Sequence, residues 1–197
     1  MESEELMADV LSAAALDDPS AADLVAYARD AAALAPELRA RIERYLAASS
    51  EHRDRFRALA PPDYMLAGSC LCGAIGYAVR GPLPPLGHCH CARCRKAHGA
   101  AFATFALIAS DALRWTRGED QLSRYADGSG RTIAFCKRCG TTLTGNAPPG
   151  RIALAVATLD VDPIARPVVH AAVAQHAPWH EITDGIKQLP DPFEVPS

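Results

Sequence analysis

Apolar residues recur every three or four positions in the first part of the chain. Within segment 36–49 they follow one face of a helix, at Leu38, Ile42, Tyr45 and Leu46. This periodicity predicts an amphipathic helix, and Pro36 suits its first turn. A second helix is predicted upstream, because Ser20 followed by Asp23 three residues later is typical of a capping box at a helix start.

Beyond residue 60 the apolar residues alternate with small or polar ones, as in a strand. Ile75, Tyr77 and Val79 show this alternation, and so do Ile152, Leu154 and Val156. Further strands are predicted over 102–108, 132–135 and 168–173, between clusters of Gly, Pro, Asp and Ser. The composition changes near Ala60-Pro61-Pro62. We therefore predict a small all-α N-terminal region over 1–60 and a mainly β domain over 61–197.

Composition and charge narrow the choice of function and location. The chain has 197 residues, 49% of them hydrophobic, which is enough to build a core. A net charge of −3 and a pI of about 6.1 disfavour a protein that coats nucleic acid or an anionic membrane. No apolar stretch has the length of a membrane span, and the segment MESEELMADV is acidic where a signal peptide is basic. We expect a cytoplasmic location.

Seven cysteines fall in three short clusters between positions 70 and 139. They are Cys70 and Cys72; Cys89, Cys91 and Cys94; and Cys136 and Cys139. Cytosolic reductants disfavour disulfides, and an odd number of thiols cannot all pair. Spacings of one or two residues let neighbouring thiolates converge on one ion, so the clusters indicate metal binding, most simply of zinc.

The spacing alone allows two ways of combining the clusters. In the first, Cys70 and Cys72 join Cys136 and Cys139 in a closed four-cysteine site, and the remaining three cysteines form a second site. In the second, Cys91 and Cys94 join Cys136 and Cys139, which leaves three cysteines without a role. We favour the first combination, because it uses all seven.

The two sites of the favoured combination differ in chemistry. A four-cysteine zinc site is closed and stabilises the fold, whereas a three-cysteine site is open to water or a substrate and is the candidate for catalysis. His90 and His98 lie in or near the triplet. Either of them can supply the fourth ligand or carry a proton.

Four segments in order resemble the glutathione-dependent formaldehyde-activating enzyme family, which shares its domain with centromere protein V. They are GSCLCGAIGYAV, CHCARCRKAHGAAFATF, FCKRCGTTL and VVHAAVAQHAPWHEI, within residues 66–185. The resemblance implies a β-rich fold related to the Mss4-like, β-tent zinc proteins, with two zinc ions per chain. It also implies a structural zinc on Cys70, Cys72, Cys136 and Cys139, and a second zinc on Cys89, Cys91 and Cys94.

The resemblance also implies carbon–sulfur lyase chemistry on a thiol–aldehyde adduct, such as that of glutathione with formaldehyde. Arg95 and Lys96, directly after Cys94, are candidates for binding the carboxylates of a glutathione-like thiol. Their other possible role is to balance the charge of the zinc–thiolate cluster. The alternative function is a zinc-stabilised binding or regulatory module without enzymatic activity.

Residues 1–60 lie outside this resemblance. They faintly resemble the N-terminal zinc-binding domain of anti-sigma factors, but Ser49 and His52 stand where that domain has a Cys-x-x-Cys pair. We expect this region to dock a protein partner, to mediate homodimerisation, or to cover apolar surface of the β domain.

Overall fold

The computed structural model of the protein describes residues 18–128 and 131–191. The first seventeen residues of the predicted helical region 1–60 therefore lie outside the described residues. The chain divides into two compact units, Met1–Tyr64 and Met65–Ser197. In the described part of the chain, no helix is both long and apolar enough to cross a membrane.

The N-terminal unit contains both helices that the sequence predicts. The helices are α1 (Ala21–Asp30), α2 (Pro36–Ala48) and α3 (Ser50–Leu59). At the start of α1 the amide of Asp23 donates to Ser20 Oγ (3.1 Å), and the amide of Ser20 donates to Asp23 Oδ2 (2.9 Å), which confirms the capping box. Pro36 is the first residue of α2, as predicted.

Helix α3 was not separated from α2 by the sequence pattern, and its start depends on two polar residues. Ser49 Oγ accepts from the amide of His52 (3.1 Å), so Ser49 is the N-cap of α3. The His52 ring stacks on Tyr45 at 3.8 Å, and its Nδ1 donates to the Tyr45 carbonyl oxygen at 2.8 Å. These two residues therefore fix the turn between two helices.

Leu24, Ile42 and Phe56, one from each helix, are fully buried in the core of this unit. The Phe56 ring also packs in T-shaped arrangements with the rings of Tyr27 and Tyr64, with distances of 6.2 and 5.7 Å between the ring centroids. The partner-docking, dimerisation and anti-sigma-like roles of the region stay predictions.

The second unit is mainly β, which confirms the predicted fold class. Its strands are β1 (Met65–Ser69), β2 (Gly76–Arg80), β3 (Leu86–Cys89), β4 (Ala103–Ala109), β5 (Leu113–Arg117), β6 (Leu122–Ala126), β7 (Thr132–Cys136), β8 (Thr142–Gly145), β9 (Arg151–Ala155), β10 (Pro167–Ala171) and β11 (Lys187–Gln188). The predicted strands correspond to β2, β4, β7, β9 and β10.

The strands form two sheets. One has the order β1-β2-β5, and the other has the order β11-β10-β3-β4-β9-β8-β7-β6. Neighbouring strands are antiparallel except β10, which pairs in parallel with both β3 and β11. This parallel pairing brings the C-terminal part of the chain beside the strand that ends at Cys89.

Several of the elements that the pattern missed are short or exposed. Strand β3 has only four residues, and β5 and β6 contain no buried residue, so none of these three strands gives a clear alternation. Helix α4 (Ala92–His98) begins inside the cysteine triplet, and Gly99, with a φ of 59°, ends it in the left-handed conformation.

Tyr77 anchors the smaller sheet through a buried hydrogen bond. Burial raises the pKa of Tyr77 to about 12, so its hydroxyl is protonated and donates to Thr158 Oγ1 (2.7 Å), which in turn donates to the Ala155 carbonyl oxygen (2.7 Å). Gly68 faces the ring across β1 and β2, and a Cβ there would lie 2.1 Å from Tyr77 Cζ. Only glycine permits this approach.

We expect Tyr77→Phe to lower the free energy of unfolding by about 1 kcal/mol, because a buried hydrogen bond is lost while Thr158 still donates to Ala155. Denaturant unfolding followed by the fluorescence of Trp115, whose ring lies 6.0 Å from that of Tyr77, measures the change. Tyr125→Phe is the control, since Tyr125 is exposed. Equal stability losses in the two variants would contradict this account.

Candidate metal centre

Four cysteines from two distant turns converge in the β unit. Cys70 and Cys72 follow β1, and Cys136 and Cys139 follow or end β7. The four sulfurs lie within 4.8 Å of one another. The Sγ atoms of Cys70 and Cys72 are 3.6 Å apart, and those of Cys72 and Cys136 are 3.9 Å apart.

The backbone of each turn aims its two thiols at the same point. Gly73 and Gly140 follow the two pairs with φ values of 69° and 77°, which favour glycine. Each glycine amide donates to the carbonyl oxygen of the first cysteine of its pair, at 2.8 Å. The amide of Ile75 also donates to Cys70 Sγ at 3.2 Å.

The remaining three cysteines form a second cluster. Cys89 ends β3, Cys91 is the N-cap of α4, and Cys94 lies in the first turn of that helix; their sulfurs lie within 4.8 Å of one another. The amide of Cys94 donates to Cys91 Sγ at 3.3 Å. The structure thus groups the cysteines in the four-plus-three combination.

The triplet cannot ionise fully without a neighbouring positive charge. Hydrogen bonding from Cys89 and Cys94 lowers the pKa of Cys91, whereas the thiols of Cys89 and Cys91 raise the pKa of Cys94. One thiolate is stabilised at the expense of its neighbour. A divalent cation between the sulfurs would stabilise all three thiolates.

Both clusters fit a zinc ion. A tetrahedral zinc with Zn–S bonds of about 2.3 Å separates its sulfurs by about 3.8 Å. The 3.6 and 3.9 Å separations in the four-cysteine cluster bracket this value. The triplet supplies three ligands, and of the residues that the structure describes, no histidine or carboxylate joins its sulfurs within 4.8 Å.

The two candidate histidines lie in different surroundings. His98, at the end of α4, lines the same cavity as the three cysteines, and burial lowers its pKa below the ordinary histidine value. His90 is fully buried between Cys89 and Cys91. Burial, together with the neighbouring rings of His170 and His180, lowers the pKa of His90 to about 4.

His90 belongs to a hydrogen-bonded chain that the sequence did not indicate. His90 Nε2 lies 2.7 Å from His170 Nδ1, and His170 Nε2 lies 3.0 Å from Asp184 Oδ1. Partial burial acts to raise the pKa of Asp184, but hydrogen bonds from Ile186 and His170 lower it overall. The Asp184 carboxylate is therefore ionised near neutral pH and accepts from His170 Nε2.

The carboxylate thus holds a proton on His170 Nε2, and the other nitrogen of that ring, Nδ1, shares a hydrogen bond with His90 Nε2. The second nitrogen of His90 is Nδ1. That atom is buried and has no hydrogen-bond partner among the described residues. The amide of His90 also donates to the Ala171 carbonyl oxygen at 2.9 Å. Both contacts hold the segment between Cys89 and Cys91 against β10.

The triplet lines a cavity of about 480 Å³ over one face of the larger sheet. Most of its wall is apolar, with Phe105, Leu107 and Ile133 among the larger side chains. The loop 146–149 also lines it. The four-cysteine cluster does not contribute to this wall, so the two clusters differ in access to the cavity.

The basic residues near the cavity differ from those that the sequence singled out. Arg93 and Arg131 line the cavity, and Arg93 forms an ion pair with Asp127. Neither Arg95 nor Lys96 is among the described residues that line it. The Arg95 guanidinium instead lies over the ring of the exposed Trp179, at 5.9 Å from its centroid.

Comparison with known proteins gives a consistent assignment. A family model described as glutathione-dependent formaldehyde-activating enzyme matches residues 65–175, which is more than half of the chain. A Halomonas elongata protein named as a putative glutathione-dependent formaldehyde-activating enzyme is 31% identical, over 60% of this chain and 81% of that protein.

Two further proteins share shorter or looser similarity. A Schizosaccharomyces pombe protein named as an uncharacterized lyase is 34% identical over 42% of this chain; the chain spans only 56% of the length of that protein. A crystal structure of a Rhodobacter sphaeroides protein is 29% identical and has a TM-score of 0.43, over 50% of this chain and 92% of that one. On the family model and the Halomonas relative, the chain belongs to the glutathione-dependent formaldehyde-activating enzyme family.

Proposed function

We propose that this protein is a zinc-dependent carbon–sulfur lyase that cleaves or forms a thiol–aldehyde adduct. The observation that carries the proposal is the three-cysteine cluster in the wall of a cavity of about 480 Å³. The four-cysteine cluster, with its complete set of thiol ligands, would hold a second zinc with a purely structural role. The name of the Halomonas relative supports glutathione as the thiol and formaldehyde as the aldehyde.

Three cysteines would hold the reactive zinc: Cys89, Cys91 and Cys94. When bound there, zinc would supply a positive charge that stabilises a thiolate near neutral pH. Because the three cysteines line the cavity, this charge would lie in its wall, where it could stabilise the leaving sulfur of a bound adduct. The apolar walls lower the local dielectric constant, which strengthens electrostatic interactions inside the cavity.

The cleavage step needs a base, and His98 is suited to that role. The adduct carries a hydroxyl group and a sulfur on the same carbon. A ring nitrogen of His98 takes the hydroxyl proton, the C–O bond becomes the aldehyde C=O, and the electron pair of the C–S bond leaves on sulfur as a thiolate. In the reverse direction the thiolate attacks the aldehyde carbon, and His98 returns the proton to oxygen.

The proposed activity is tested by following exchange between formaldehyde and its glutathione adduct by NMR. We expect the purified, zinc-loaded protein to accelerate this exchange above the spontaneous rate. If exchange with this and other aldehydes stays at the spontaneous rate, the binding-module alternative is favoured instead.

We expect Cys91→Ser to remove one zinc per chain and to abolish the acceleration, with little loss of stability. Serine is a good N-cap, so it can still accept from the amide of Cys94 and α4 should remain formed. Metal analysis, the exchange assay and circular dichroism measure these three effects.

The matched variant is Cys72→Ser in the other cluster. It should also remove one zinc but lower the unfolding midpoint strongly, because a structural zinc site contributes on the order of ten kcal/mol. If Cys91→Ser loses one zinc and keeps full turnover, the triplet is not the reactive site.

We expect His98→Gln to lower kcat by roughly 100-fold, a typical effect of removing a general base, without loss of zinc. A base works only when it is unprotonated. Because burial lowers the pKa of His98, the wild-type rate should stay level below the ordinary histidine value of about 6.5 and fall at more acid pH.

The pH–rate profile of kcat identifies this role. The fall in kcat at acid pH should disappear in His98→Gln and persist in the control His176→Gln. His176 is a suitable control because it is exposed and lies outside the cavity lining. An unchanged kcat in His98→Gln would remove His98 from the mechanism.

A further inference from the structure

The floor of the cavity is the solvent-side face of the neighbouring strands β4, β9 and β8. The register of these strands determines which side chains lie next to one another on the floor. Phe105 on β4 pairs with Ala155 on β9, and Leu107 pairs with Ala153. Ala153 pairs in turn with Gly145 on β8. These five residues all line the cavity. Alternate residues such as Ala106, Ile108 and Leu154 are buried on the opposite face.

The space above this floor exists because several of its residues are small. On β8 and β9 the cavity-lining positions are Gly145, Ala153 and Ala155. A Cβ at Gly145 would make only an ordinary contact with Ala153 Cβ at 3.7 Å, and the φ of Gly145 is not in the left-handed region. The backbone therefore does not require glycine here, and the small side chains leave room for a ligand.

The charges in the wall argue against a polar group deep in the cavity. The described lining residues include no aspartate or glutamate that could receive an ammonium group. Arg93 is paired with Asp127, and Arg131 is exposed. A glutathione-like thiol, with two carboxylates and one ammonium, finds no set of counter-charges along this floor.

The size of the cavity also exceeds what a one-carbon aldehyde requires. Formaldehyde occupies a volume comparable to one or two water molecules, about 30 Å³ each in the liquid. The cavity measures about 480 Å³ and its floor is apolar. Apolar surface gains free energy only by contact with apolar ligand atoms, which a one-carbon group scarcely provides.

We propose that the carbonyl-derived part of the substrate is an apolar group larger than one carbon, aliphatic or aromatic, which lies on the floor formed by Phe105, Leu107 and Ala153. This inference rests on the proposed lyase function and specifies its substrate class. The reacting carbon then lies at the cysteine end of the cavity. The polar part of the thiol extends toward the exposed Arg131.

The first test measures binding alone, with thioether analogues that cannot react. We expect S-hexylglutathione to bind at least about 10-fold more tightly than S-methylglutathione, since one methylene group in an apolar pocket already gives about 10-fold or more. Isothermal titration calorimetry on the zinc-loaded full chain measures both dissociation constants. Equal affinities would overturn the inference.

The second test compares the glutathione adducts of formaldehyde, hexanal and benzaldehyde as substrates. We expect kcat/KM for the hexanal or the benzaldehyde adduct to exceed that for the formaldehyde adduct by about 10-fold or more. A preference for formaldehyde would overturn the substrate class but leave the lyase function standing. Tight binding of S-hexylglutathione without turnover of any adduct would support the apolar site and overturn the lyase function.

A variant with a larger side chain on the floor of the cavity tests the proposed binding surface directly. Ala153→Leu should remove the advantage of the larger adducts and of S-hexylglutathione, so that kcat/KM for the hexanal and benzaldehyde adducts falls by about 10-fold or more. Ala157→Leu, at an exposed alanine beyond the end of β9, should change neither preference. If Ala153→Leu keeps the wild-type preference, the floor is not the binding surface.

Discussion

The fold of the β unit depends on holding cysteine thiols close together, although these thiols repel one another once they are ionised. The four-cysteine cluster joins residues 64 positions apart, as the contact of Cys72 with Cys136 shows. Its two turns leave strands of different sheets, β1 in the smaller sheet and β7 in the larger one. A cation bound by these thiolates would therefore also tie one sheet to the other, and it would link metal binding to the folding of this unit.

The two cysteine clusters differ in their surroundings because the backbone around them differs. In the four-cysteine cluster, each pair is closed by a glycine in the left-handed conformation, and two such turns face each other. In the triplet, Cys91 caps a helix and Cys89 ends a strand, so the sulfurs converge from one local segment. Among the described residues, no fourth cysteine, histidine or carboxylate joins these three sulfurs, and the cavity lies beside the cluster instead.

The sequence predicted those features that depend on neighbouring residues. Helix starts at Ser20 and Pro36, alternating strands such as β9, and cysteines that converge through short spacings are all local. The contact between His90 and His170 joins residues 80 positions apart, and the row formed by Leu107, Ala153 and Gly145 crosses three strands. Such features depend on strand order and register, which periodicity alone does not determine. Likewise, Arg95 was predicted to bind substrate because it follows Cys94 directly in the sequence. In the structure it is Arg93, in the same helix, that lies in the cavity wall.

The parallel pairing of β10 with β3 explains why a late segment of the chain reaches the triplet. A parallel pair needs a long connection, and here that connection includes the strands that form the floor of the cavity. The pairing sets His170 opposite His88 and Ala171 opposite Cys89. His170 is thereby placed to hydrogen-bond to His90 through Nδ1, while Asp184 accepts from its Nε2. These hydrogen bonds hold the segment between Cys89 and Cys91 against β10, so the positions of these two sulfurs depend on a strand from a late part of the chain.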